Sequence, residues 1–240
     1  MPYLINRKTV SFDEIAYQYD QWEETPLGGL TSQIERNSIF SLFNQANCRG
    51  PVLDVGCGTG NYAHFFARNG YDVYGIDISG RMLEIAQIKA KKADIKVNFV
   101  QADATRLPFP ANSFATVICL FAIEFTNHPN EVMKEIYRVL CPGGHLIMTT
   151  LNRHSLWAVL RRIRGQIQPT VYNNAQFLSC RELKRLLSEN GFSNLVWQNA
   201  VYYPPVNISN ILFLYKVFES LGKTVLPGTS AFLAVRANKQ

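Results

Sequence analysis

The chain has 240 residues and a mass of 27.2 kDa, the size of one large domain rather than two. Hydrophobic residues make up 47% and charged residues 18%, enough to bury a sizeable core, which excludes a disordered chain. The net charge is +6, and residues 151–240 carry eleven Lys and Arg against three Asp and Glu, a surplus that is a solvated face or an attractant for an acidic ligand, nucleic acid or phospholipid surface.

From residue 51 the elements alternate. Val52 to Val55 reads as a strand and runs into Gly56-Cys57-Gly58-Thr59-Gly60. Tyr62, Phe65 and Phe66 follow at helical spacing, and Gly70 stops the helix. A strand over 72–77 leads to Ser79 as helix N-cap. Strands are predicted over 97–103 and 114–121, the second apolar enough to be covered on both faces. Val132, Ile136 and Val139 mark one helix face, ended by Pro142-Gly143-Gly144, and a fifth strand runs from His145 to Leu151. This alternation predicts an α/β fold, with a mostly parallel sheet wrapped by helices.

In such a sheet, ligands bind beyond the carboxyl ends of the strands. The glycines read GxGxG, with Asn61 where a dinucleotide fingerprint needs its third glycine, which lowers an NAD reading. Asp77 ends the second strand, where a carboxylate can take the vicinal hydroxyls of a ribose. Asp103 ends the third, where it can accept from an exocyclic adenine amine. Together they indicate an adenosine with a compact polar tail. The five cysteines show no CxxC spacing; no metal site is expected, and a reducing compartment is. The N-terminus MPYLINRKTVSF has no apolar signal core and no run spans a bilayer, so a cytoplasmic location is expected.

Leu53-Asp54-Val55-Gly56-Cys57-Gly58-Thr59-Gly60 resembles the first motif of the S-adenosylmethionine-dependent methyltransferases with a Rossmann-like fold. Gly75-Ile76-Asp77-Ile78-Ser79 resembles their acidic second-strand motif, Gln101-Ala102-Asp103-Ala104 with Leu107-Pro108-Phe109 their adenine-binding stretch, and Arg138 to Gly144 the turn before their fifth strand. Phe12 to Ala16 and Tyr19-Asp20-Gln21-Trp22 resemble the cap of the small-molecule branch. The resemblance covers residues 12 to 151. It implies a seven-stranded sheet with the last strand antiparallel, S-adenosyl-L-methionine as cofactor and S-adenosyl-L-homocysteine as product. It further implies that Gly56, Cys57, Gly58 and Gly60 hold the methionine portion and that Asp54 orients its amino group. Asp77 would bind the ribose, Ile78 would lie on the adenine, and Asp103 with Ala104 would read its edge. Leu120 and Phe121 would meet the methionine tail, with Tyr19 and Trp22 closing over it.

One methyltransferase domain is therefore expected over 1–240: a cap segment 1–50, a cofactor-binding half 51–151, and inserts 152–178 and 204–228 forming the acceptor pocket. Ser179 to Glu182 is a capping box, and Leu183, Leu186 and Leu187 give its helix a buried face. Further strands are predicted over 194–203 and 230–237. Ile208, Ile211, Leu212, Leu214, Tyr215, Phe218 and Leu221 are apolar at helical spacing, which suits core packing, a pocket wall, or a dimer or membrane-surface contact. Arg161, Arg162 and Arg164 could steer an anionic group of a small, partly apolar acceptor. In-line methyl transfer rests mainly on positioning; His128, His154 and Tyr172 are the candidates for a general base, with Glu124 near the same edge. A nucleic-acid methyltransferase is the alternative, although the Asn/Asp-Pro-Pro-Tyr/Phe and Pro-Cys motifs are missing. A non-catalytic cofactor-binding subunit is the other.

Overall fold

A computed structural model describes residues 10–46, 50–207 and 213–240. Strands β1 (Val52–Val55), β2 (Val73–Asp77), β3 (Asn98–Gln101), β4 (Phe114–Leu120), β5 (Leu140–Leu151), β6 (Phe192–Trp197) and β7 (Phe232–Lys239) form one sheet in the order 3-2-1-4-5-7-6. The first five pair in parallel, while β7 runs antiparallel to both β5 and β6. The Rossmann-like sheet expected from the sequence is the one observed.

Alternation along each strand divides the core between the two faces. Leu53, Val117, Cys119, Leu146, Met148, Leu233 and Val235 face α6 (Pro129–Val139) and α8 (Cys180–Glu189). Val52, Ile118, Leu120, Ile147, Phe232 and Ala234 face α3 (Pro26–Ala46), α4 (Asn61–Arg68) and the Trp157 end of α7 (Leu156–Ile167). Each fully buried Leu, Ile or Phe of this set contributes roughly 1.5–3 kcal/mol. Capping fixes where helices begin: Ser79 accepts from the Met82 N–H to start α5 (Gly80–Lys92), and Ser179 with Glu182 forms the expected capping box.

Several predicted boundaries shift. β5 begins at Leu140 because Phe114 already pairs with it ahead of a register shift. β3 stops at Gln101, so Asp103 lies in the loop beyond it. The predicted strand over 194–203 ends at Trp197. Beyond it Ala200 makes a single bridge to Phe232, and Val201 has φ +65°. Tyr203 then leaves the sheet, buried, with its hydroxyl 2.8 Å from Thr31 Oγ1.

The first insert is α7 and a short turn over Val171–Asn174. In the second, Ile208, Ile211 and Leu212 lie outside the described residues, and α9 (Tyr215–Val225) rests Tyr215 and Phe218 on the core while Leu214, Val217 and Leu221 are exposed. No helix of the described residues is long and apolar enough to cross a membrane.

Two one-turn helices, α1 (Phe12–Ile15) and α2 (Gln21–Glu24), precede α3. The chain turns at Thr25 between α2 and α3, and Gly28, in the first turn of α3, donates its N–H to Thr25 Oγ1 at 2.9 Å. A Cβ at Gly28 would stand 1.8 Å from the Trp22 carbonyl oxygen. Gly28→Ala must therefore push α2 off α3, at an overpacking cost of about 1–3 kcal/mol. Thermal unfolding should show a lower melting temperature, together with a changed Trp fluorescence spectrum.

Candidate active site

The site is built at the carboxyl edge of β1, β2 and β4, where helix N-termini also converge. After β1 the Gly56 and Cys57 N–H groups both donate to the Ile76 carbonyl, at 2.8 and 2.9 Å. Gly56 and Gly58 then take φ of +73° and +53°, a left-handed turn open to glycine at little cost. The Gly58 N–H donates to Asp77 Oδ2 at 2.8 Å, and the Ser79 N–H to Oδ1 at 2.8 Å. Burial raises the Asp77 pKa, and these backbone donors oppose the rise. A Cβ at Gly58 would meet no atom within 4 Å; the turn borders open space of the kind a small ligand fills.

Two adjoining cavities meet at this turn, of about 390 and 440 Å³. Tyr19, Gly56, Gly58, Leu120 and Phe121 line both. The smaller also takes in Asp77, Ile78, Asp103, Ala104 and His128. Ile78 is 68% exposed, an apolar side chain left bare at the cavity wall. Asp103 accepts from the Thr105 N–H and hydroxyl, both at Oδ1 and 2.8 Å. Phe121 holds φ +53°, an uncommon conformation for an aromatic residue and of the kind that gathers at ligand sites.

The larger cavity takes in Trp22, Asp54, Cys57, Glu35, Glu124, Arg161 and Tyr172. Asp54 is buried, and desolvation followed by the nearby Asp77 charge pushes its pKa up to about 8. Glu124 is fully buried and neither carboxylate oxygen has a hydrogen-bond partner. Desolvation pushes it up to about 7; the Thr150 hydroxyl and backbone at Glu124 and Leu151 temper the rise without reaching hydrogen-bond geometry. Arg161 lies 5.0 Å from the ring centroids of both Trp157 and Tyr172.

The predicted residues do not all converge. Gly60 lines neither cavity; a Cβ there would press on the His64 ring and on Ala86 at 2.9–3.0 Å, so its glycine serves packing. His154 also lies outside both, its N–H held by Asn152 Oδ1. His128 lines the smaller cavity, 3.5 Å from Glu131. Of the three candidate bases, Tyr172 alone stands in the larger cavity. The described part of the second insert lines neither cavity; α9 packs on the core instead, and the first insert supplies the wall. Arg162 lies over Phe177, while Arg153, Arg185 and Lys223 each face a glutamate, so ion pairs take up part of the C-terminal basic surplus.

Two features were missed. Glu35, on α3, enters the cavity wall from a helix whose sequence carries no motif. Asp20 ties the cap to the glycine turn: it accepts from the Thr59 hydroxyl at 2.8 Å, the Asn61 amide at 3.0 Å and Lys89 Nζ at 2.8 Å. Lys89 also bonds to the Asn61 side-chain oxygen. The departure of Asn61 from glycine was the available signal. Asp13 joins the same face by accepting from the Ser79 hydroxyl.

A methyltransferase-domain family model matches residues 53–148. Over 228 residues the chain is 30% identical to an uncharacterized protein of Methanocaldococcus jannaschii, covering 95% of this chain and 98% of that one. It is 31% identical to the malonyl-[acyl-carrier protein] O-methyltransferase of Enterobacter lignolyticus, over 81% of this chain and 74% of that protein. Among solved structures, a Thermotoga maritima S-adenosylmethionine-dependent methyltransferase, possible histamine N-methyltransferase, superposes with a TM-score of 0.67 at 23% identity, over 95% of this chain and 98% of that one. The chain belongs to the S-adenosylmethionine-dependent methyltransferases.

The Asp20 pKa reflects a contest. Burial raises it, but the hydrogen bonds from Lys89, Thr59 and Asn61 and the Lys89 charge win and lower it below the ordinary value. A depressed carboxylate stabilises the fold above its unfolded pKa and loses that contribution as pH falls through its folded value. Cap docking should thus be complete above about pH 4 and fail below it. Asp20→Asn should weaken it at neutral pH by about 1 kcal/mol, since both partners of this ion pair are partly solvated. Calorimetry with S-adenosylhomocysteine reads this as a several-fold loss of affinity.

Proposed function

We propose that the enzyme transfers a methyl group to a small, partly apolar acceptor held in the larger cavity, and that catalysis comes mainly from positioning. The observation that carries this is the division of space at the glycine turn. An adenosine-sized end holding the strand-end Asp77 and the loop carboxylate Asp103 opens, past the shared Phe12, Phe121 and Phe125, into a second space walled by Trp22 and Tyr172. Both volumes are of small-molecule size. The cofactor supplies an electrophilic methyl on a sulfonium.

In this reading the Gly56–Gly58 backbone and Asp54 hold the amino-acid end, and Asp77 takes the ribose hydroxyls. Asp103 and the Ala104 N–H take the adenine edge, with Ile78 against its face. Backbone at Leu120 and Phe121 borders the methionine tail. Tyr19 and Trp22, on the segment that Asp20 anchors, exclude water from above. Holding the acceptor in a near-attack pose supplies about 7–11 kcal/mol of the barrier. Relatives whose names specify oxygen and nitrogen acceptors share this fold, so the acceptor is chosen by the residues of the second cavity.

Asp77→Ala removes a charged acceptor and should weaken S-adenosylhomocysteine binding by about 10–100-fold; unchanged affinity by calorimetry would place the ribose elsewhere. Incubating the enzyme with methyl-labelled cofactor and an extract of the source organism should put enzyme-dependent label into the small-molecule fractions. Label in nucleic acid instead would overturn the acceptor reading.

A further inference from the structure

The acceptor end of the larger cavity is short of one positive charge. Glu124 is buried with both carboxylate oxygens unpartnered. Among the described residues, Glu35 on the same wall makes no hydrogen bond or ion pair. Arg161 acts on both carboxylates, while Arg36, which also reaches Glu35, is engaged by Glu23. Its Nη1 is itself buried without a partner, and its guanidinium lies against the Trp157 and Tyr172 rings. The other carboxylates on this wall are accounted for. Glu23 pairs with Arg36 at 3.2 Å and Asp20 with Lys89 at 2.8 Å, and Asp54 stands beside the glycine turn at the cofactor end.

The buried Glu124 and half-buried Glu35, with Arg161 as the guanidinium they share and Arg36 already paired with Glu23, leave a site that an anion would worsen and a cation would complete. The remaining walls suit a cation as well, since aromatic faces attract ammonium groups; Tyr19, Trp22, Phe125 and Tyr172 all line this space. We propose that the methyl acceptor is an amine on an apolar body, bound as its cation with Glu35 and Glu124 as counter-charges. This rests on the reading of the larger cavity as the acceptor chamber.

The chemistry balances. The bound ammonium passes a proton to the Glu35–Glu124 pair, which frees the nitrogen lone pair. That lone pair forms the new C–N bond as the C–S bond breaks, and the departing electron pair neutralises the sulfonium to a thioether. The methylated ammonium restores the positive charge facing the carboxylates, and the proton leaves to solvent. Desolvation pushes Glu35 up to about 8 and Glu124 up to about 7, so near neutral pH either carboxyl can take up a proton and release it. Tyr19 and Cys119 also feel the Glu124 charge, and Tyr62 the Glu35 charge; burial raises the pKa of Tyr62 and of Cys119, so both stay neutral and supply no competing counter-charge.

Calorimetry on the full chain saturated with S-adenosylhomocysteine tests this. The probes are benzylamine, phenethylamine and tryptamine, set against 3-phenylpropionate and 3-phenylpropanol, in two buffers of different ionisation enthalpy. Amines should bind in preference to their isosteres and release a fraction of a proton as the carboxyls ionise. Glu35→Gln and Glu124→Gln should each weaken amine binding by at least about tenfold, with retained S-adenosylhomocysteine binding reporting an intact fold. Preference for the carboxylate with proton uptake, binding of none of the amines, or unchanged amine affinity in both variants overturns the proposal. Failure of the unaltered protein to bind S-adenosylhomocysteine overturns instead the reading on which it rests.

Discussion

The hydrogen bond from the Gly58 N–H to the Asp77 carboxylate, 2.8 Å across 19 residues of sequence, joins the parts of this site. It extends the β1–β2 pairing past the end of the strands, where Gly56 and Cys57 already donate to Ile76. The glycine turn is thereby held in a conformation that leaves its outer side open. Thr59 and Asn61, next along that turn, are two of the three anchors of Asp20. The cap, the turn and the acidic strand end are thereby joined in one hydrogen-bonded network. A displacement at any of them changes the space over the carboxyl edge.

That arrangement also explains why the cap sits on a polar network while the core is apolar. An entrance must open, and local segments that open are held by few buried apolar contacts. Tyr19 and Trp22 are about two-fifths exposed, so their burial adds little to hold the segment down. Asp20 and Lys89 hold it at a partly solvated position, where an ion pair is worth only about 1 kcal/mol. The network therefore fixes orientation more than it adds stability. Gly28 complements it from the other side by letting the chain pass within backbone contact of Trp22.

The parts of the site legible in the sequence are those written locally. A strand, a glycine turn and a helix cap each depend on neighbours within a few positions, so the GxGxG turn and the strand-end Asp77 could be placed without coordinates, whereas Asp103 falls in the loop past β3. Strand ends were less legible: β5 begins five residues before its predicted start because Phe114 pairs with Leu140, a tertiary matter. The second insert reads as an apolar helix, but periodicity alone does not say which way such a helix faces, and the core took Tyr215 and Phe218. Gly60 looked like part of the cofactor loop and instead makes room for His64. Glu35, Glu124, Arg161 and Tyr172 come from four segments spread over more than a hundred residues. Glu124, Arg161 and Tyr172 were each legible as separate candidates; Glu35, a lone glutamate on a long helix, was not, nor was the convergence of the four.

Those four residues also show the cost of building such a chamber. A carboxylate removed from water without a partner is destabilising by several kcal/mol unless it takes up a proton, and the raised pKa values of Glu35, Glu124 and Asp54 are that cost expressed as protonation. A carboxyl whose folded pKa is raised weakens the fold as pH climbs above its unfolded value. These carboxyls therefore cost the fold stability at neutral pH. Asp20 does the opposite, being fully partnered and depressed. The cap is thus aligned by partnered polar groups, while the larger cavity holds Glu124 and Arg161 with unpartnered polar atoms. A polar group left without a partner in a folded chain is tolerated at a site where binding supplies one. The contrast is between Asp20, whose partners hold it charged, and Glu35 and Glu124, which burial pushes toward the protonated form.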